Sequence, residues 1–122
     1  QAIELIKEIE LFTRQRSKYV FPSPQKSDRG VAGATLADTL HRLGYQNRHC
    51  FHGFRSMFST IAHELYKEHG FHSDIIEACL AHKEKNKIKA AYNRESKFKY
   101  FEEKKELIQW WADWLEKKKK SI

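Results

Sequence analysis

The sequence predicts a mainly α-helical fold with about six helices. Apolar residues recur every three or four positions in several separate stretches, and this spacing places them on one side of a helix. Two of these stretches are followed by glycine, at Gly44 and Gly70. A residue without a Cβ atom can take the left-handed conformation that ends a helix. Helices are therefore expected to form nearly all of the regular structure.

The first predicted helix covers the opening residues of the chain. Charged residues separate its apolar positions, and we expect this stripe to be core: Ala2, Leu5, Ile6, Ile9 and Phe12. Residues 19–24 (YVFPSP) then combine aromatic and β-branched residues with two prolines. This composition predicts an extended segment that leads into a loop reaching about Gly30.

Two further helical patterns occupy the middle of the chain. Leu36, Leu40 and Leu43 mark a second helix, which Gly44 is expected to end. A third helix is predicted from near His52 to Gly70. Its apolar face consists of Phe54, Met57, Phe58, Ile61 and Leu65.

The second half of the chain carries three more helical patterns. Ser73 is the expected N-cap of a short helix, whose apolar residues are Ile75, Ile76, Cys79 and Leu80. After a polar stretch at residues 82–87, another helix is predicted around residues 88–94. The longest helix is expected over about residues 97–118. Its predicted stripe consists of Phe101, Ile108, Trp111 and Leu115, widened by Leu107, Trp110 and Trp114. The lysines at 117–120 are expected to form a frayed, solvated tail.

Charge and composition restrict the function classes. The 122-residue chain has a formal net charge of +7 and a pI of about 9.4, which favours a polyanionic partner such as nucleic acid. No apolar run approaches the roughly 18 residues that span a bilayer, so an intracellular protein is expected.

Cys50 and Cys79 lack the paired spacing of a disulfide framework. Zinc is a weak alternative, because the histidines and cysteines show no compact ligand spacing.

Two polar residues are spaced so that their side chains can bind one anion together. His52 and Arg55 are three positions apart, so helical geometry puts both side chains on one face. An arginine fork matches two phosphate oxygens, and a neighbouring histidine can donate a hydrogen bond or move a proton. Taken alone, such a pair is more often a solvated helix surface.

Two downstream residues make this pair informative. His82 occurs in Leu80-Ala81-His82, and Tyr92 occurs in AAYNR. The ordered set His52-x-x-Arg55, Leu80-x-His82 and Tyr92 resembles the signature of the tyrosine recombinase family. The stretches HGFRSMFSTIAHEL, DIIEACLAHKEKNKIKAAYNR and QWWADWLE also look like integrases of phages and genomic islands. The resemblance covers nearly all of residues 1–122 and implies the C-terminal part of that family's catalytic domain.

The resemblance implies site-specific DNA recombination for integration or excision of a prophage or genomic island. In this family the tyrosine hydroxyl, here that of Tyr92, attacks a DNA phosphate, which forms a 3′-phosphotyrosyl bond and frees a 5′-hydroxyl. Arg55 would stabilise the charge on the phosphate oxygens, assisted by His52 and His82. No metal or other cofactor is implied. The implied partners are double-stranded attachment sites and further copies of the enzyme in a tetramer, in the bacterial cytoplasm and away from any membrane.

A group of lysines precedes Tyr92 in the sequence. Lys83, Lys85 and Lys87 are the candidates for contact with the DNA backbone, and Lys89 continues the alternation. The same lysines would equally suit a solvated segment.

The family pattern is incomplete in this chain. A second catalytic arginine and a lysine on a β-hairpin normally precede the HxxR helix, and Arg14, Arg16 and Arg29 lie in the wrong context for that arginine. We therefore expect the N-terminal hairpin region to be missing, apolar surface to be exposed in its place, and the fragment alone not to recombine DNA.

The last helix is expected to be able to pack on a neighbouring protomer. A noncatalytic DNA-binding or regulatory module and a type IB topoisomerase are the alternatives.

Overall fold

Helices form nearly all the regular structure of the chain. The computed structural model describes residues 1–81 and 100–121. Its six α-helices are α1 (Ala2–Thr13), α2 (Gly33–Leu40), α3 (Phe51–Glu64), α4 (Tyr66–His69), α5 (Ser73–Cys79) and α6 (Phe101–Lys119). The mainly α-helical prediction is confirmed. The helix predicted around residues 88–94 lies outside the described residues.

The chain divides into two compact units. The first unit is Gln1–Gly53 and contains α1 and α2, and the second is Phe54–Ile122 and contains most of α3 together with α4, α5 and α6. Across the described parts of both units, none of the helices combines the length and the apolar character needed to cross a bilayer.

Helix α1 carries an apolar stripe that is open to solvent. None of its residues is buried, and Leu11 and Phe12 are 83% and 82% exposed. The prediction that this stripe is core is therefore wrong. An amphipathic helix buries its stripe only where another element covers it, and the described residues place none there. The exposure agrees with the expectation that the chain presents apolar surface.

The second helical segment ends near Gly44, as the sequence predicts, although it buries fewer apolar residues than predicted. It continues into a π-helical turn, His41–Tyr45, in which Gly44 adopts a φ of 84°. Leu40 is buried, whereas Leu43 is 66% exposed. Because the π-helical turn departs from the 3.6-residue period, Leu43 no longer follows Leu40 on the buried face.

Between α1 and α2 the chain forms the predicted extended segment and loop. Its two arms meet at one antiparallel bridge between Pro22 and Gly30. The N–H of Val31 also donates to the carbonyl of Phe21 at 2.8 Å.

The single long helix predicted from His52 to Gly70 is two helices. Leu65 leaves the helical region, with φ −95° and ψ 22°, and α4 then runs to Gly70, which ends it at φ 74°. The His69 side chain stabilises the bend between α3 and α4 through two hydrogen bonds. Its Nδ1 accepts the N–H of Phe71 at 3.0 Å, so Nε2 carries the proton and donates to the Ala62 carbonyl at 2.8 Å.

The buried core of the second unit lies among α3, α5 and α6. Its residues are Phe58, Ala62, Ile75, Ile76, Leu80 and Leu107. Leu107 and Ala62 are fully buried, and the small Ala62 side chain permits close approach between helices. Trp111 lies edge-on to Phe58, with 5.4 Å between the ring centroids. This edge-to-face geometry stabilises aromatic pairs beyond the burial of their area.

Helix α6 packs with a different face from the one predicted. Leu107 is fully buried and Trp110, Trp111 and Trp114 are half-buried, whereas the predicted stripe residues Phe101, Ile108 and Leu115 are exposed. The three tryptophans therefore belong to the packed face, as predicted from their periodicity, and the centre of that face is Leu107. Helix α6 contacts α5 of the same chain.

The start of α5 and the end of α6 differ from expectation. Ser73 is already helical, and the N-cap of α5 is His72, whose imidazole accepts the N–H of Asp74 at 3.3 Å. Helix α6 runs on to Lys119, so Lys117 to Lys119 are exposed but helical instead of frayed. Cations in the last turn of a helix lie at the negative end of its dipole, which stabilises that turn.

The assignment of the buried face of α6 can be tested by comparing two neighbouring positions. We expect Leu107→Ala to lower the free energy of unfolding by about 2–5 kcal/mol, because it leaves a cavity in a packed core. The control Ile108→Ala, at a 48% exposed position, should change it by less than about 1 kcal/mol. Denaturant unfolding of each variant measures both values. Equal losses at the two positions would contradict this packing.

Candidate functional site

Two of the four predicted catalytic residues lie in the part of the chain that the structure describes. His52 and Arg55 are both exposed and stand on the first two turns of α3. The remaining predicted residues lie outside the described residues: His82, Tyr92, Lys83, Lys85 and Lys87.

Arg55 reaches from α3 to the end of α5. Its Nη2 donates a hydrogen bond to the carbonyl oxygen of Leu80. The last carbonyls of a helix lack partners within the helix and carry partial negative charge, so a guanidinium is a favourable donor there. The bond joins residues 25 positions apart in the sequence.

The backbone turns sharply directly after this contact. Leu80 is the C-cap of α5 and its side chain is buried, and Ala81 then adopts a φ of 49°. A residue with a Cβ atom in this left-handed region costs roughly 1–2 kcal/mol. Arg55 therefore binds the carbonyl of the first residue of the LxH motif, at the point where the helix ends.

His49 packs against the first turn of α3. A Cβ atom added to Gly53 would lie 2.7 Å from the Cε1 atom of the His49 ring, which is closer than real carbon atoms approach. The backbone N–H of His49 donates to the Tyr45 carbonyl at 3.1 Å. Gly53, which lies between the HxxR residues, is thus the residue that allows the imidazole to lie against the helix.

The other histidines that the sequence left unassigned take part in local packing. His63 Nδ1 donates to the Ser59 carbonyl at 2.7 Å, and its Nε2 lies 3.7 Å from a carboxylate oxygen of Glu77. His69 contacts Trp110, with 4.6 Å between ring centroids. In the described residues, no group of three or more histidines, cysteines and carboxylates could hold a metal ion.

The Cys79 thiol is not an activated nucleophile. Burial raises the pKa of the Cys79 thiol above its ordinary value, and the ammonium of Lys104 lowers that pKa only in part. Cys79 therefore stays protonated at neutral pH, and a thiolate is the reactive form. Cys50 is exposed, and both are free thiols.

The structure adds two contacts near the predicted site that the sequence analysis missed. The partner of Arg55 is a backbone carbonyl, which no residue pattern identifies. The contact of His49 with Gly53 had a signal in the sequence, since an isolated glycine inside a helical pattern commonly marks a close approach or a packing requirement.

Comparison with known proteins identifies relatives over nearly the whole chain. The integrase of Shigella phage Sf6 is 32% identical over 118 residues, and prophage integrase IntS of Escherichia coli K12 is 31% identical over 118 residues. Each match covers 97% of this chain and 29% of the relative. Prophage integrase IntA of the same strain is 38% identical over 96 residues, which is 79% of this chain and 22% of that protein. Neither a family model nor a solved structure gives a significant match.

These relatives indicate a class of protein. Because the similarity to several integrases extends over nearly the whole chain, it supports an integrase family for the chain. The chain spans less than one third of the length of these relatives. The mainly helical fold and this limited span agree with the predicted C-terminal portion of a longer catalytic domain.

The contact of His49 with Gly53 can be measured by a double-mutant cycle. Alanine favours a helix interior over glycine by about 1 kcal/mol, so Gly53→Ala should stabilise the chain if nothing opposes the new Cβ atom. In the His49→Ala background we expect that gain. With His49 present, the displaced imidazole should cancel or reverse it, which gives a coupling free energy of about 0.5–3 kcal/mol.

The readout of this cycle is the free energy of unfolding for the four proteins. Additive effects of the two substitutions would contradict the contact.

Proposed function

We propose that this chain is the C-terminal part of the catalytic domain of a tyrosine-type site-specific recombinase. The full-length protein would integrate or excise a prophage or genomic island by cleaving and rejoining DNA through a 3′-phosphotyrosyl intermediate at Tyr92. Arg55, His52 and His82 would bind the phosphate that Tyr92 attacks. Residues 1–122 would belong to one catalytic domain.

The contact of Arg55 with Leu80 is the observation that carries this proposal. The HxxR and LxH motifs are distant in the sequence, and the proposed chemistry requires both at one phosphate. The guanidinium of the first motif donates to the carbonyl of the first residue of the second. His82 follows Leu80 by two residues. The similarity of the chain to phage and prophage integrases supports the same assignment.

Arg55 has the capacity to serve both the fold and the reaction. A guanidinium has five N–H donors, and the bond to Leu80 uses one nitrogen, Nη2. Its exposed position on α3 leaves the group accessible to a DNA phosphate. Charge builds on the non-bridging oxygens as Tyr92 attacks, and donors already fixed in place stabilise that charge without reorganisation.

The nucleophile needs a base. A tyrosine hydroxyl has an ordinary pKa of about 10, so the Tyr92 proton has to leave as the bond to phosphorus forms. His52 would accept this proton, while His82 would donate a hydrogen bond to the phosphate. The phosphodiester to tyrosine retains the free energy of the broken DNA bond, and attack by a 5′-hydroxyl then reverses the step.

The partners follow from this reaction. Double-stranded attachment sites would lie against Arg55 and against one or two of Lys83, Lys85 and Lys87, and four copies of the full-length protein would assemble on DNA in the bacterial cytoplasm. The reaction would need no metal or small-molecule cofactor. We expect the 122-residue chain by itself not to recombine DNA, because the proposed reaction also needs the arginine and lysine that family members carry before the HxxR helix.

The covalent step can be tested on the full-length protein with a nicked suicide substrate that carries its attachment site. We expect a covalent protein–DNA adduct whose DNA maps to Tyr92 by peptide mass spectrometry. Tyr92→Phe removes only the hydroxyl and should abolish the adduct. An adduct on another residue would overturn the assignment, and DNA binding without any adduct would favour a noncatalytic module.

The role of Arg55 can be tested in the same assay. Arg55→Ala should slow adduct formation by about 100-fold to 1,000-fold, the usual loss on removal of one transition-state donor. Arg55→Lys keeps the charge but loses the planar fork, and should recover only part of that rate. Arg48→Ala removes an exposed arginine in the first unit and serves as the control. A rate for Arg55→Ala within about threefold of wild type, in a folded protein, would contradict the proposal.

A further inference from the structure

Charge is unevenly distributed in the first unit. Residues 1–13 contain one lysine and three glutamates, so α1 is acidic. Residues 14–53 contain seven basic residues against only Asp28 and Asp38, a net charge of +5. A concentration of positive charge in one segment favours a polyanionic partner.

One hydrogen-bonded part of this basic segment is the loop of residues 22–30, here called the basic loop. In addition to the bridge at its base, the N–H of Ser23 donates to the Arg29 carbonyl at 2.9 Å, and the N–H of Arg29 donates to the Lys26 carbonyl at 3.3 Å. These bonds fix the backbone that carries Lys26 and Arg29.

Two side chains from the turn that follows α1 also bind the backbone of the basic loop. The Nη2 of Arg16 donates to the Pro24 carbonyl at 2.8 Å, and the hydroxyl of Ser17 donates to the Ser27 carbonyl at 2.5 Å. The Ser17 oxygen also accepts the N–H of Tyr19 at 3.2 Å. The charge of Arg16 is therefore engaged in holding the loop, whereas the loop's own cations are presented to solvent.

Burial does not explain this ordering. Residues 24–30 are all exposed, so hydrogen bonds hold the loop instead of a core. Among the residues that the structure describes, no carboxylate forms an ion pair with Lys26 or Arg29. An ordered surface loop of this kind is a common position for binding residues, because less conformational entropy is lost when it binds.

The base of the basic loop faces α2 across an open groove with a volume of about 540 Å³. Pro24 and Gln25 line one side, and Asp38, His41 and Arg42 line the other. Arg42 is exposed. The groove thus places a third cation opposite the loop that carries Lys26 and Arg29.

We propose that the basic loop and Arg42 form a surface that binds the phosphate backbone of double-stranded DNA. The inference rests on the proposed function for the identity of the polyanion. Cations on a fixed backbone position a duplex through its phosphates, which carry no sequence information. Asp28 and Asp38 lie on the same surface and weaken the attraction, so removing Asp28 should have the opposite effect to removing Lys26.

The test measures binding of the 122-residue chain to two unrelated DNA duplexes by fluorescence anisotropy, between about 50 and 200 mM salt. For Lys26→Gln/Arg29→Gln, the slope of log affinity against log salt should fall in magnitude by about 0.9 for each lost phosphate contact. The affinity for both duplexes should fall by the same factor. Asp28→Asn should bind both duplexes more tightly than wild type.

Two matched variants control for net charge and for folding. Lys7→Gln/Arg14→Gln removes the same charge from α1 and its C-cap residue and should keep the wild-type slope. Lys26→Arg/Arg29→Lys should also keep it, because both charges remain. An unchanged slope in the loop variant, an equal change in the α1 variant, or no salt-dependent binding by the wild-type chain would overturn this surface. Binding through the loop without an adduct at Tyr92 would instead overturn the proposed chemistry alone.

Discussion

The hydrogen bond from Arg55 to the carbonyl of Leu80 joins the two parts of the chain on which the functional account depends. It satisfies a carbonyl at the end of α5, where the helix has no donor of its own, and it holds the guanidinium at the place where the chain turns through Ala81. The other contacts between α3 and α5 include the apolar core, which is not directional, and the approach of His63 to the Glu77 carboxylate at 3.7 Å. The contact therefore provides orientation, and the core provides most of the stability.

The core below this contact explains why the orientation is maintained. Phe58 and Ala62 lie on α3, about one and two turns after Arg55, and Ile76 and Leu107 pack with them from α5 and α6. Close-packed interiors respond to the loss of even one methylene group, so a shift of α6 would change the distance between α3 and α5. The aromatic rings of α6 thus support the packing of α3 against α5.

The sequence predicted the helical class, the end of the helical turn after α2 at Gly44, the end of α4 at Gly70 and the position of the HxxR pair, because each depends on local spacing or on the freedom of glycine. It did not predict which face of α6 is buried, since Leu107 and Ile108 are equally apolar and only tertiary packing distinguishes them. The exposed stripe of α1 and the break at Leu65 have the same cause. The Arg55 contact was beyond prediction because its acceptor is a backbone carbonyl 25 residues away.

The central claim is spatial: the guanidinium of Arg55 and the imidazoles of His52 and His82 meet at the phosphate that the Tyr92 hydroxyl reaches. The most direct measurement is an experimental structure of the full-length protein joined covalently to its attachment-site DNA. The account predicts that Arg55, His52 and His82 lie within hydrogen-bond distance of the phosphate bonded to Tyr92. A structure in which they contact different phosphates, or lie on separate surfaces, would contradict it.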